Sequence, residues 1–137
     1  MRRQFQAIII AIGLSTTAGC AAVDLTPCSG ERMVTTELYF GLSKAGGGSI
    51  GKAQWRRFLD EHVVPRFAEG FTVVDGEGYW RGEGAKRTIR ENSKVLIRVH
   101  KGTAEDDREI SEIIEAYKAR FSQESVLRSD ERSCVTF

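Results

Sequence analysis

The sequence predicts an α+β fold of the ferredoxin-like, split βαβ kind: β-α-β-β-α-β, with a four-stranded antiparallel sheet carrying two helices on one face. Three observations predict it. Two stretches with helical apolar spacing are each opened by a capping hydroxyl, Ser49 or Thr103, and two strand-like runs lie between them. The halves look like copies, because each reads strand, glycine-containing turn, helix, strand. Arg66-Phe67 also recurs as Arg120-Phe121 at the spacing that separates Ser49 from Thr103.

The chain opens with MRRQFQAIIIAIGLSTTAGC. Two arginines precede an apolar run from Ala7 to Leu14, and small residues lead to Cys20. A charged start, a short apolar centre and a small-residue cleavage zone are the layout of a secretory signal over residues 1–19. The apolar run falls far short of the roughly 18–20 residues that span a bilayer as a helix. Thr17-Ala18-Gly19-Cys20 resembles a bacterial lipobox, in which the cysteine becomes the lipidated first residue, although Thr17 stands where an aliphatic residue is usual. Ala21 after the cysteine, in place of aspartate, favours the outer membrane over the inner by analogy with Gram-negative lipoproteins.

The chain has three cysteines, an odd number for an oxidising compartment. With Cys20 lipidated, Cys28 and Cys134 remain as a pair that would tie the two ends of the domain together. Closing a loop of that size is worth on the order of 4 kcal/mol in the chain-entropy model. No C-x-x-C is present, and His62 and His100 have no ligand-like spacing to either cysteine, so no metal is expected.

The 20 basic and 19 acidic residues balance, and loss of Arg2 and Arg3 with the leader leaves the mature chain faintly acidic. No basic field exists to attract nucleic acid. The 137-residue chain, less its leader, suffices for one domain with a core of its own.

Residues 20–33 are mostly small and polar, which suits a tether from lipid to domain, so the domain is expected over 34–137. VTTELYFGL, 34–42, is a strand by its β-branched and aromatic content, with Leu38, Phe40 and Leu42 on one face and Tyr39 on the other. Ser49 caps a helix reaching about Val63, its stripe being Trp55, Phe58, Leu59 and Val63, and Pro65 stops it. FTVVDGEGYW, 71–80, is a second strand, bent at Gly76 or Gly78. A glycine-rich, charged loop follows. SKVLIRVH, 93–100, is the third strand, with Val95, Ile97 and Val99 expected inward and Leu96, Arg98 and His100 outward. Thr103 caps the second helix, striped by Ile110, Ile113, Ile114, Tyr117 and Phe121. ESVLRS, 124–129, is a fourth strand, and SCVTF could add a short fifth.

GGGSIGKA, 46–53, fits much of a phosphate-binding loop through Gly46, Gly51 and Lys52. Ala53 stands where a hydroxyl must hold magnesium, and the element order offers no stack of parallel βαβ units. A turn into a helix is the reading, and no nucleotide is expected. The surface of most interest is the sheet face away from the helices. With the first and third strands as central neighbours, Tyr39, Leu96, Arg98 and His100 would share it. Such a patch could bind an anionic or aromatic ligand, take part in acid–base chemistry, or be buried against a second copy. In the loop after the second strand, aromatics and arginines could form a partner or anionic-ligand surface, but Trp80 is expected to pack under its own loop with the charges solvated. Asp60, Glu61 and His62 point apart on their helix. No catalytic residue and no cofactor is implied.

Through TELYFGLS, QWRRFLDEHVVPRF, GFTVVDGEGYW and SKVLIRVH the chain resembles a family of uncharacterised bacterial exported proteins, often lipoproteins, designated domain of unknown function 3574. The likeness covers most of 34–137. It implies a small α+β lipoprotein domain and brings no substrate, cofactor or catalytic residue. The functional expectation is a cell-envelope lipoprotein on the periplasmic side, acting as a binding or structural module. The alternative is a small envelope enzyme or ligand-binding protein using the open sheet face. Its partners are the membrane, through the lipid, and a homodimer mate.

Overall fold

Glu31–Gly41 forms the first strand, β1, because its alternation places Leu38 and Phe40 on one face and Glu37 and Tyr39 on the other. In the computed structural model, which describes residues 27–44, 46–81 and 84–137, the elements continue with α1 (Lys52–Phe58), prolonged by a π-helical turn over Leu59–Val63. Next come β2 (Thr72–Trp80), β3 (Ile89–His100), α2 (Ala104–Phe121) and β4 (Leu127–Val135). The strands form one antiparallel sheet in the order β2-β3-β1-β4, the split βαβ arrangement. The expected leader, 1–19, and the lipid site at Cys20 lie outside the described residues.

Leu38, Phe40 and Leu96 carry the sheet's side of the core, and Ile50, Trp55, Phe58, Val63, Phe67, Ile110, Ile113, Tyr117 and Phe121 cover it. Its centre is aromatic. The Tyr117 ring sits edge-on 4.6 Å from Phe40 and 5.1 Å from Phe58, and 4.9 Å from Phe121. Each such pair adds about 0.5–1.5 kcal/mol beyond simple burial. The Tyr117 hydroxyl donates to the Gly41 carbonyl at 2.7 Å, and burial pushes its pKa well up.

Several boundaries differ from those the sequence predicts. Helix α1 begins at Lys52 with Gly51 as its N-cap, the Gly51 N–H donating to Gln54 Oε1 at 3.1 Å, while Ser49 is held in a bridge to Ser43. Thr103 caps α2 as expected: its Oγ1 accepts from the Asp106 N–H, and Asp106 Oδ2 accepts from the Thr103 N–H. Strand β1 starts at Glu31, inside the expected tether, because Glu31–Met33 find partners in Val135, Cys134 and Ser133. For the same reason 127–135 is one strand rather than two. Its charged middle, Asp130-Glu131-Arg132, is tolerated on a sheet edge. Strand β3 extends back to Ile89, opposite Trp80. Strand β2 pairs with β3 without interruption through Gly76 and Gly78. Gly76 admits the Ser93 hydroxyl, which would lie 2.9 Å from a side-chain carbon there.

Cys28 and Cys134 are disulfide-bonded, Cα to Cα 5.6 Å, joining the approach to β1 with the end of β4. No helix among the described residues is long and apolar enough to cross a membrane.

Candidate functional site

The phase of β3 decides where the chemistry lies. Register pairs Leu38 with Leu96, Thr36 with Arg98 and Val34 with His100, so these residues share the face under the helices. Tyr39, opposite Val95, is on the other face. The open-face grouping of Tyr39, Leu96, Arg98 and His100 is therefore corrected. Tyr39 alone is on that face, its hydroxyl donating to Glu37, which raises its pKa. Leu96 is fully buried in the core, and Arg98 and His100 are only 5% and 2% exposed beneath α2. The alternation misleads because Val95, Ile97 and Val99 are as apolar as any core strand. Carboxylates on α2 meanwhile make burial of the polar set affordable.

Those carboxylates build a network. The Arg98 guanidinium donates to Asp106 Oδ1 at 2.9 Å and to Glu109 Oε2 at 3.2 Å, and its carbon lies 4.1 Å from the centre of the Phe67 ring. Its Nε is buried without a partner. The Gly102 N–H donates to His100 Nδ1 at 3.1 Å, which leaves the imidazole proton on Nε2. Nε2 lies 2.8 Å from Thr36 Oγ1 and donates to it, and the Thr36 hydroxyl donates in turn to Asp130. Arg128 binds Asp130 on its own strand and Asp107 on α2, at 2.7 Å to the latter.

Electrostatics follow from this packing. Burial alone would raise the pKa of Asp106, but hydrogen bonds from the Thr103 N–H and hydroxyl, with the charge of Arg98, hold it below the usual carboxylate range. Asp130 is likewise lowered: burial opposes ionisation, and the hydrogen bonds from Thr36 and Arg128, with the charge of Arg128, outweigh it.

Thr36, His100 and Asp106 read like a nucleophile, a base and an orienting carboxylate. The geometry does not support that chemistry. Thr36 is 1% exposed, so no substrate reaches it, and its proton is committed to Asp130 rather than to the imidazole. Asp106 Oδ2 stands 3.4 Å from Nδ1, which the backbone N–H already occupies. The network docks α2 onto the sheet. Sequence reading overlooked Thr36, Asp106 and Asp130. Thr36 had a signal, since it lies in phase with Leu38 and Phe40.

The glycine loop folds onto itself. Lys44 N–H donates to the Gly48 carbonyl at 3.1 Å, Gly47 N–H to Lys44 at 2.9 Å, and Ile50 N–H to Leu42 at 2.8 Å. These donors are used within the turn instead of converging on an anion. Trp80 and Tyr79 are 45% and 64% exposed at the β2–β3 hairpin, so Trp80 is not tucked beneath its loop as expected. No cluster of three or more His, Cys, Asp or Glu that could hold a metal occurs among the described residues.

The surface left open is the other sheet face, to which Met33, Tyr39, Val74, Val95, Ile97, Val99 and Leu127 belong by register. Val74 and Leu127 are 46% and 63% exposed. One end of this face forms a shallow groove of about 560 Å³ between β1, β3 and β2. Met33, Ile97, Val99, Phe71 and Phe137 supply its apolar wall, and Glu31, Glu69 and Lys101 supply its charge.

Sheet order, helix placement and a closed polar network define a ferredoxin-like α+β domain with one uncovered sheet face. The chain belongs to the family described as protein of unknown function (DUF3574), whose model matches residues 35–137. No curated protein matches it. Among solved structures it is similar to a phage SAM lyase in complex with S-methyl-5'-thioadenosine, with TM-score 0.59 and 13% identity over 81% of this chain and 88% of that one. It is also similar to a phage SAM lyase in the apo state, with TM-score 0.56 and 17% identity over 81% and 89% of the two chains. At such identity the likeness is one of fold.

Proposed function

We propose that this chain is an exported, lipid-anchored domain of the Gram-negative cell envelope that serves as a binding or structural module through its open sheet face. The carrying observation is the division of labour between the two faces. Thr36, Arg98 and His100, the polar side chains on the helix-facing side of the central strands, are closed beneath α2, while the uncovered face presents exposed Val74 and Leu127 and a shallow groove of mixed apolar and charged lining. An uncovered sheet face with exposed aliphatics suits association with a partner. Pairing with a second copy is the arrangement that would cover it. The Cys28–Cys134 bond accords with maturation in an oxidising compartment, and the leader and lipobox-like Cys20 accord with a lipid tether on the periplasmic side of the outer membrane.

A photo-crosslinking residue placed at Val74 or Leu127 in living cells tests this reading. Adducts from these positions, and none from the exposed helix position Arg108, are expected, and their mass separates a self-pair from another partner. Adducts from Arg108 alone, or from no position, would contradict it.

The groove favours a second reading, a small-ligand site. Its volume falls in the range of ligand pockets, and the fold neighbours include a lyase structure holding S-methyl-5'-thioadenosine. Melting the protein with and without that nucleoside distinguishes the two. No shift is expected from the module reading, whereas a saturable rise would establish the ligand site.

A further inference from the structure

Unpaired cations mark the exposed side of α1. Its first residue is Lys52, at the positive end of the helix dipole, and no acidic residue occupies the first turn. Lys52 and Arg56 are one turn apart and repel, and Arg57 follows directly. All three are exposed, and none forms an ion pair with another described residue. Elsewhere the exposed cations of the helices are paired: Arg66 with Glu112, Arg108 with Glu105 and Glu112, Lys118 with Glu115, and Arg120 with Glu61. Only Lys52 opposes the dipole, since Arg56 and Arg57 lie in the last turn where cations are favoured; what sets the spot apart is three exposed cations without an ion-pair partner among the described residues.

The spot is concave. Ala53, Gln54 and Arg57 of α1 and Arg120 of α2 line a cleft of about 170 Å³. Two guanidiniums and a side-chain amide then face one small space, the donor set that grips a tetrahedral oxyanion. Glu61 already behaves as an internal anion there. Its hydrogen bond from Arg120 chiefly holds its pKa down, helped by the charges of Arg120 and Arg57. We infer that the Arg57–Arg120 cleft binds a phosphate group, with Lys52 and Arg56 supplying the surrounding field. The site lies on the helices and is independent of the open sheet face.

Isothermal titration of the detergent-solubilised mature chain with inorganic phosphate, at constant ionic strength, tests it. Saturable binding is expected, weakened at least tenfold by Arg57→Ala. Glu61→Gln, which removes the competing carboxylate, should tighten it severalfold. Arg57→Glu should abolish binding, and an unchanged circular dichroism spectrum shows that the variant folds. Co-flotation with phosphatidylglycerol vesicles, lost in the same variants, would identify a lipid headgroup as the source. Phosphate binding without flotation would identify a free phosphorylated ligand. Heat effects that do not saturate, or that persist unchanged in Arg57→Ala and Arg57→Glu, would overturn the site.

Discussion

Asp106 is the residue on which α2 is hung. It caps its own helix through Thr103, neutralises Arg98 and stands beside His100. Replacing it with alanine leaves a buried guanidinium facing Glu109 alone, a loss of about 3–5 kcal/mol in urea unfolding. A double variant, Arg98→Met with Asp106→Leu, should recover most of that, since a buried ion pair and a well-packed apolar pair are often equivalent. Acid unfolding belongs to this scale as well. Asp106 and Asp130 have folded-state pKa values below their unfolded ones. Their stabilisation is therefore fully present above about pH 4 and lost as pH falls through the lower folded values. The melting temperature should drop steeply in that acid window, and Asp130→Asn should flatten the drop. Gly102 is bound into the same construction. Its φ of 72° and the 2.8 Å approach of Val34 Cγ2 exclude a side chain just where its N–H serves His100.

Among the elements, the two helices show how far local chemistry can be read from sequence. Thr103 and Asp106 form a capping box, and α2 begins where that pattern places it. Ser49 follows three glycines, and the Ser43–Ser49 bridge claims it before the helix can, so the cap of α1 falls two residues later, at Gly51. Strand β1 was legible because its two faces differ in polarity. Strand β3 was not, since both of its faces bear aliphatics and its phase is fixed by carboxylates on the helix that follows it, a contact that only the folded arrangement reveals. That missed phase moved Leu96, Arg98 and His100 to the wrong side, so the topology was readable while the candidate site was not. Ser122 ends α2 in the left-handed region, φ 54° and ψ 44°. A Ser122→Gly exchange relieves that conformation and should stabilise the protein by about 0.5–1 kcal/mol in chemical denaturation.

At the level of the whole molecule, a sheet covered on one face and bare on the other is closed at its edge by a single covalent link. Cys28 and Cys134 are 106 residues apart in sequence, so the bond constrains nearly the whole unfolded domain. Exchanging both for serine should cost about 2–5 kcal/mol, read as a lower urea midpoint with an intact spectrum below the transition. The same bond is one that an oxidising compartment, as proposed for this chain, would sustain.

Intact-mass spectrometry of the protein purified from its own cells tests whether it is the anchored, oxidised envelope domain proposed above. The predicted result is a chain that begins at Cys20, carries acyl groups on that residue and has lost two hydrogens at Cys28 and Cys134. A chain still beginning at Met1, unacylated and with every thiol reduced, would contradict it.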